Sequence, residues 1–384
     1  MEKLIREFLK ARKGQGLLRE LKSISSRGQG RIKFSGKSYF DFSSNDYLGL
    51  SDHPYLIEQS KKAIEKFGVS SSSSRLLSGT LDLHRQLEEN MAKFKKKQAA
   101  IVFNSGYQAN LGIISSLCKQ GDCIFADRLI HASLIDGILL SGAKFFRFQH
   151  NDANHLEALL KKERNKFKNC LIITESIFSM DGDKAPLKEF VSLKEKYQVQ
   201  LFVDEAHATG IFGKNGAGLV EELGLEKQVD LIMGTFSKAL GGFGGYLAAS
   251  KKIVDYLVNT CRSFIYSTAL PPGVIAANLA SLELIKKEPQ RRIQLLENAA
   301  YLHRELLNQG FVIKGESQIV PLIIGDNLRA VECAKNLQAK SFWVLAIRPP
   351  TVPIGQARLR FSLNFYQQKK ILDKLIHELK KIKF

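Results

Sequence analysis

At 384 residues, with 44% hydrophobic and 25% charged residues, the chain is sized and composed for a globular main domain with a smaller companion. No run approaches the roughly eighteen uninterrupted apolar residues of a transmembrane helix, and residues 1–10 lack a signal peptide's apolar core, so a cytoplasmic protein with no membrane partner is expected. The 57 basic and 38 acidic residues give +19, which admits an anionic substrate, an acidic protein or nucleic acid as partner.

In chain order, residues 1–10 carry charges at helical spacing, and residues 39–42 form a short strand-like segment. From residue 99 short apolar runs alternate with amphipathic stretches. Residues 99–103, 123–125, 144–148, 170–174, 200–203, 231–233 and 245–249 read as strands, with helices at 110–118, 133–140, 154–162 and 187–197. That alternation predicts an α/β fold with a mainly parallel central sheet and helices on both faces. The last two strands are joined only through glycines, so that edge is expected to be irregular or antiparallel. After Pro271-Pro272 come helical stretches at 273–287 and 290–308, strand-like segments at 317–324, 342–347 and 357–363, and a closing helix at 367–381. The expected division is an N-terminal helix and segment (1–45), a large domain (46–270) and a small C-terminal α+β domain (271–384).

In an open parallel sheet, ligands bind beyond the carboxyl ends of the strands. The residues that follow each predicted strand form an unusual set: Asn104-Ser105-Gly106-Tyr107, then Asp127 and His131, Glu175 and Ser179, Asp204 and His207, and Thr235, Ser237 and Lys238. Each has a task if an aromatic phosphate cofactor sits there. Ser105-Gly106-Tyr107 opens a helix, whose free N–H groups suit a phosphate, and Ser105 is equally a plain N-cap. Asp204 would be costly to bury unpaired, and a protonated ring nitrogen would compensate it. His131 and His207 suit a ring face or its oxygen substituent, or a satisfied place in the core. Lys238, followed by Ala239-Leu240-Gly241-Gly242-Phe243-Gly244-Gly245, suits a reactive amine.

One other reading is rejected, a helicase, and a basic nucleic-acid-binding protein is kept as the alternative of another class. Asp204-Glu205-Ala206-His207 also matches a helicase signature, but Gly30 and Gly36-Lys37-Ser38 are spaced one residue too far apart for a phosphate-binding loop. The basic residues are scattered in short runs such as Lys95-Lys96-Lys97, without interleaved aromatic residues, so no nucleic-acid partner is expected. Five cysteines without a CxxC pair point to buried free thiols rather than a metal site.

Over nearly its whole length the chain resembles the α-oxoamine synthases, enzymes of fold type I that use pyridoxal 5'-phosphate (PLP). The matching strings are residues 43–50 (SSNDYLGL), 75–80 (RLLSGT), 127–133 (DRLIHAS), 179–183 (SMDGD), 204–210 (DEAHATG) and 235–238 (TFSK). The resemblance implies a PLP-dependent acyltransferase with Lys238 as the Schiff-base lysine and Asp204 as partner of the pyridine nitrogen. His131 would stack on the ring and His207 would bond its phenolic oxygen. Ser179, Thr235 and the Gly106-Tyr107 backbone would hold the phosphate or neighbouring groups, and Thr268 would reach the partner's phosphate in a homodimer. Asn45 and Arg360 would hold the amino-acid carboxylate, although Arg358 shares a strand face with Arg360. Arg19 and Thr351 would line the acyl-chain side. The string 346–353 (AIRPPTVP) is most like members that condense L-alanine with pimeloyl-CoA or a pimeloyl-acyl carrier protein on the way to biotin; glycine C-acetyltransferase is the alternative within the family. Ser70–Ser74 stands where relatives often carry glycines, so the loop there is expected to differ.

Overall fold

The computed structural model describes residues 1–382. The chain forms two compact units: Met1–Gly49, Ser179–Asp183 and the residues from Ile293 onward make unit 1, and Leu50–Phe178 with Lys184–Arg292 make unit 2. In chain order the strands are β1 (Ser26–Gly28), β2 (Arg31–Phe34), β3 (Lys37–Asp41), β4 (Ala99–Phe103), β5 (Cys123–Asp127), β6 (Lys144–Phe148), β7 (Cys170–Glu175), β8 (Gln200–Asp204), β9 (Leu231–Thr235), β10 (Gly245–Ala249), β11 (Ile319–Gly325), β12 (Phe342–Trp343), β13 (Ala346–Ile347) and β14 (Ala357–Ser362). Among the described residues no helix is long and apolar enough to cross a membrane.

Unit 2 is built on a seven-stranded sheet of order β4-β10-β9-β8-β7-β5-β6. Strands β5 to β9 pair in parallel, and β10 runs antiparallel to both β9 and β4, as the short glycine-rich connection requires. A direct connection of that length cannot carry the crossover that parallel neighbours need. The central strands β5, β7 and β9 are buried at every position, which explains their unbroken apolar runs. At the edge, β6 instead exposes Lys144 and Arg147, charges that discourage further strand pairing. Two residues separate β4 from the helix Gly106–Leu117, and four separate β5 from the helix Ala132–Ser141.

Unit 1 holds two smaller sheets, β1-β2-β3-β12 and β11-β14-β13. Two expected boundaries are corrected. Residues 1–45 are no separate segment, because β3 pairs with β12 from the C-terminal part of the chain. The boundary at 271 moves to Ile293, because the helix Pro272–Lys287 packs on the helices Pro54–Phe67 and Asp82–Phe94 of unit 2. Its Ile275, Ala280, Leu284 and Ile285 are buried. The strand expected over 342–347 is two short pieces in different sheets. All five cysteines are buried and unbridged.

Candidate active site

Five strand ends of unit 2 supply the first group of polar residues. Beyond β4, Ser105 caps the helix Gly106–Leu117 by accepting the Gln108 N–H at 3.1 Å. The amides of Gly106 and Tyr107, in the first turn, have no partner within their own helix. A Cβ on Gly245 would come within 2.9 Å of the Gly106 Cα, so these two backbones approach as only glycine permits. Tyr107 bonds Asp136 through its hydroxyl, and its ring meets that of His131 edge-on at 6.2 Å.

Beyond β5, His131 caps the helix Ala132–Ser141, its Nδ1 accepting the Ser133 N–H at 3.2 Å. That leaves Nε2 to carry the proton of the neutral ring. Desolvation lowers the His131 pKa, with the Lys238 ammonium adding to the effect and Asp204 opposing it. Asp127, the other polar residue of this strand end, accepts the Leu129 N–H at 2.8 Å and faces His150 at 3.0 Å. It also accepts the Asn151 N–H at 2.8 Å, so it ties its own turn to the residues after β6.

Beyond β7, Glu175 is buried and accepts the His131 backbone N–H at 2.5 Å. Burial, with repulsion from Asp204 next to it on β8, pushes its pKa well above the usual carboxylate range. Asp204 is buried too. Its Oδ1 accepts the Ala206 N–H at 2.8 Å and its Oδ2 the Asn110 Nδ2–H at 2.9 Å. Both donors are neutral, and Asn110 Oδ1 is buried without a partner. A buried carboxylate held by neutral donors retains the capacity to pair with a cationic N–H, so the site fits a protonated pyridine ring.

Lys238 Nζ lies 2.8 Å from His207 Nε2, joining the ends of β9 and β8. Thr235 Oγ1 donates to the Gly244 carbonyl at 2.7 Å and accepts the Ser237 N–H at 3.1 Å. The glycine-rich return to β10 is clasped by Asn278, which accepts from Phe243 N at 3.2 Å and donates to Phe243 O at 2.9 Å. Thr268 is exposed, and its carbonyl accepts from Asn104 at 2.8 Å. Lysine, carboxylate, two imidazoles and a helix N-terminus are thus gathered at one edge of the sheet.

Unit 1 carries the second group. Arg360 is buried; Nε donates to Ser179 O at 2.6 Å, and its Nη atoms lie 3.3 and 3.4 Å from Asn45 Oδ1. Tyr47 OH accepts from Nη2 at 3.3 Å and donates to Asn45 Oδ1 at 3.1 Å. Arg358, two residues earlier on β14, pairs instead with Asp181 and donates to Met180 O at 3.2 Å. Exposed Arg19 donates to Thr351 Oγ1 at 2.8 Å. Beside them lies a groove of about 490 Å³ whose lining includes Leu18, Arg19, Lys22, Trp343 and Arg348.

Glu175, Asn110 and Tyr47 were not assigned roles from the sequence. Glu175 stood in the strand-end pattern, but nothing in the spacing singles out Asn110, one turn into its helix, or Tyr47. In the serine run Ser71 Oγ donates to Leu270 O at 2.7 Å, Ser73 O accepts Ala269 N at 2.9 Å, and Ser74 bridges Thr268.

Residues 37–377 match the family model for aminotransferase class I and II. The 8-amino-7-oxononanoate synthase of Geobacter sulfurreducens is 45% identical over 371 residues, 96% of this chain and 95% of that protein. A solved 8-amino-7-oxononanoate synthase from Francisella tularensis superposes with a TM-score of 0.78 at 32% identity, covering 89% of this chain and 97% of that one. A serine palmitoyltransferase variant from S. paucimobilis, with a bound PLP–myriocin aldimine, superposes at 0.92, also at 32% identity, covering 98% and 96%. The chain belongs to the class I and II aminotransferase family, in the group that contains the 8-amino-7-oxononanoate synthases.

Proposed function

We propose that the chain is a PLP-dependent acyltransferase with 8-amino-7-oxononanoate synthase activity, joining L-alanine to a pimeloyl thioester with loss of carbon dioxide. The observation that carries this reading is the Lys238–His207 contact beside buried Asp204, in a chain 45% identical to such a synthase over 96% of its length. Bound PLP supplies a carbonyl for amine capture and an electron sink for charge at Cα.

The chain's own residues do the rest. Lys238 Nζ anchors the cofactor, takes the Cα proton of alanine and returns a proton to the product. The Asp204 carboxylate keeps the proton on the pyridine nitrogen, which sustains the electron sink. With PLP bound, His207, 2.8 Å from Lys238 here, would hold the phenolic oxygen, and His131 would pack on the ring. The Gly106 and Tyr107 amides, Thr235 and Ser179 hold the phosphate and its neighbours, and in a homodimer Thr268 serves the partner's phosphate. Arg360 and Asn45 hold the alanine carboxylate, with Tyr47 steadying both. Arg19 and Thr351 line the acyl-chain side. The thioester arrives on coenzyme A or on an acyl carrier protein.

The test uses holoenzyme with pimeloyl-CoA and, in turn, L-alanine, glycine and L-serine, read by thiol release and product mass. L-Alanine gives 8-amino-7-oxononanoate as the main product. Faster turnover with glycine or L-serine overturns the substrate assignment. Lys238→Ala abolishes turnover with the melting temperature retained; residual wild-type activity overturns the mechanism.

A further inference from the structure

Behind the candidate active site lies a buried ion pair to which the proposed mechanism gives no part. Lys95 follows the helix Asp82–Phe94 and is 2% exposed; Glu205, next to Asp204, is 0% exposed. Lys95 Nζ donates to Glu205 Oε2 at 2.8 Å, to Thr209 Oγ1 at 2.9 Å and to the Ala217 carbonyl. Three acceptors use all three protons of the ammonium. Glu205 Oε1 accepts the Val220 N–H at 2.8 Å, and Thr209 Oγ1 shares a hydrogen bond of 2.7 Å with Tyr246 OH on β10. Gly218, at φ +120°, is needed here, because a Cβ would come within 2.3 Å of Glu205 Oε2.

These partners surround one element. Residues 205–209 form a single turn, with Ala208 N and Thr209 N both donating to the Glu205 carbonyl at 3.0 and 2.9 Å. Lys95 grips that turn at its first residue through Glu205 and at its last through Thr209. His207 lies between the two grips and points away from them to Lys238, 2.8 Å distant. A surface-tethered turn would leave His207 free to swing. A turn held at both ends by one saturated, desolvated cation is fixed to within the hydrogen-bond geometry, and such pairs add direction rather than net stability.

We infer that Lys95 is a positioning residue: through Glu205 and Thr209 it sets the turn that aims His207 at Lys238. This inference rests on the catalytic reading of Lys238 and His207 given above. The one-residue change Lys95→Met strands a buried carboxylate and lowers the melting temperature whatever the role. Two further variants separate the roles. Lys95→Met with Glu205→Gln removes both charges and keeps an acceptor for Val220 N, and Thr209→Val keeps the ion pair at the first residue of the turn while cutting the grip on its last.

For the folded double variant and for Thr209→Val, cofactor-free melting temperatures near the wild type are expected. In the same proteins loaded with PLP, the pH midpoint of the bound cofactor's visible absorbance moves by about one unit, because the Lys238 environment changes. With it, kcat falls about 10- to 100-fold. A fall in active fraction would leave the midpoint where it was. Wild-type midpoint and kcat in both variants overturn the inference and leave a plain core ion pair; where the double variant does not fold, Thr209→Val alone decides. Full turnover by Lys238→Ala would instead sink the underlying mechanism, so the two failures are told apart.

Discussion

Arg358 and Arg360 lie two residues apart on β14 with side chains on one face, yet they have different tasks. Arg358 is consumed by Asp181 and two backbone carbonyls, which makes it part of the scaffold. Arg360 shares its guanidinium with Asn45, Tyr47 and Ser362, neutral groups that leave its charge unneutralised. A carboxylate is the natural complement of that charge. Arg360→Lys therefore raises the KM for L-alanine about 10- to 100-fold, since a charge-assisted fork contributes about 1.5–3 kcal/mol. Arg358→Leu costs about 3 kcal/mol of stability with little change in KM, the loss being moderated by Lys314, 3.3 Å from Asp181. Steady-state kinetics and denaturant melts on the two variants check both halves; equal effects on KM would refute the division of labour.

At the scale of elements, the segment 268–270 shows how short pieces of chain are held in register. His84 accepts the Leu81 N–H on Nδ1 at 3.1 Å and donates from Nε2 to Leu270 O at 3.2 Å, on the same carbonyl that Ser71 reaches. It thereby ties the start of the helix Asp82–Phe94 to the strand-like stretch that carries Thr268. Burial, aided by the charge of Arg75, lowers the His84 pKa to about 4 from the ordinary 6.5. The folded protein thus binds this proton more weakly than the unfolded chain. Its contribution to stability is complete above pH 6.5 and is lost as pH falls towards 4, by about 2–3 kcal/mol. Urea melts of wild type and His84→Gln between pH 4 and 7 measure it: the stability difference between the two shrinks as pH falls, and a constant difference would remove His84 from the account. Three of the five serines of the run 70–74, Ser71, Ser73 and Ser74, form the other side of this clamp. The Ser71 hydroxyl and the backbone of Ser73 and Ser74 make these bonds.

At the scale of the molecule, the +19 charge acquires a use if the thioester handle is anionic, as both coenzyme A and an acyl carrier protein are. Screening weakens such steering over a Debye length of about 10 Å at 0.1 M salt. We expect kcat/KM for the pimeloyl thioester to fall as ionic strength rises, more steeply for the carrier protein than for coenzyme A. The KM for zwitterionic L-alanine should stay constant. A salt series on both thioesters tests this, and parallel, flat profiles would assign the charge to the solvated surface alone.

The alternation of buried apolar runs with amphipathic helices was readable because each strand of a covered parallel sheet must be apolar on both faces. The strand-end residues Lys238, Asp204, His207 and His131 were readable for a related reason: ionisable groups directly after such strands have few reasons to be there other than chemistry. Local pattern left the N-terminal helix and residues 39–42 as open contributors to the C-terminal domain; what joins them is the hydrogen bonding between β3 and β12, about 300 residues apart. It could not say that the helix after Pro271-Pro272 belongs to the larger unit, since an apolar face does not name its partner. The choice between Arg358 and Arg360, the Asn110 bond to Asp204 and the grip of Lys95 on the His207 turn are of the same kind. Strand and helix periodicity is written in neighbouring residues, so the sequence by itself determined the sheet and which ionisable residues stand at its edge. Pairings between distant side chains depend on where folding brings them, and only the tertiary structure decided those.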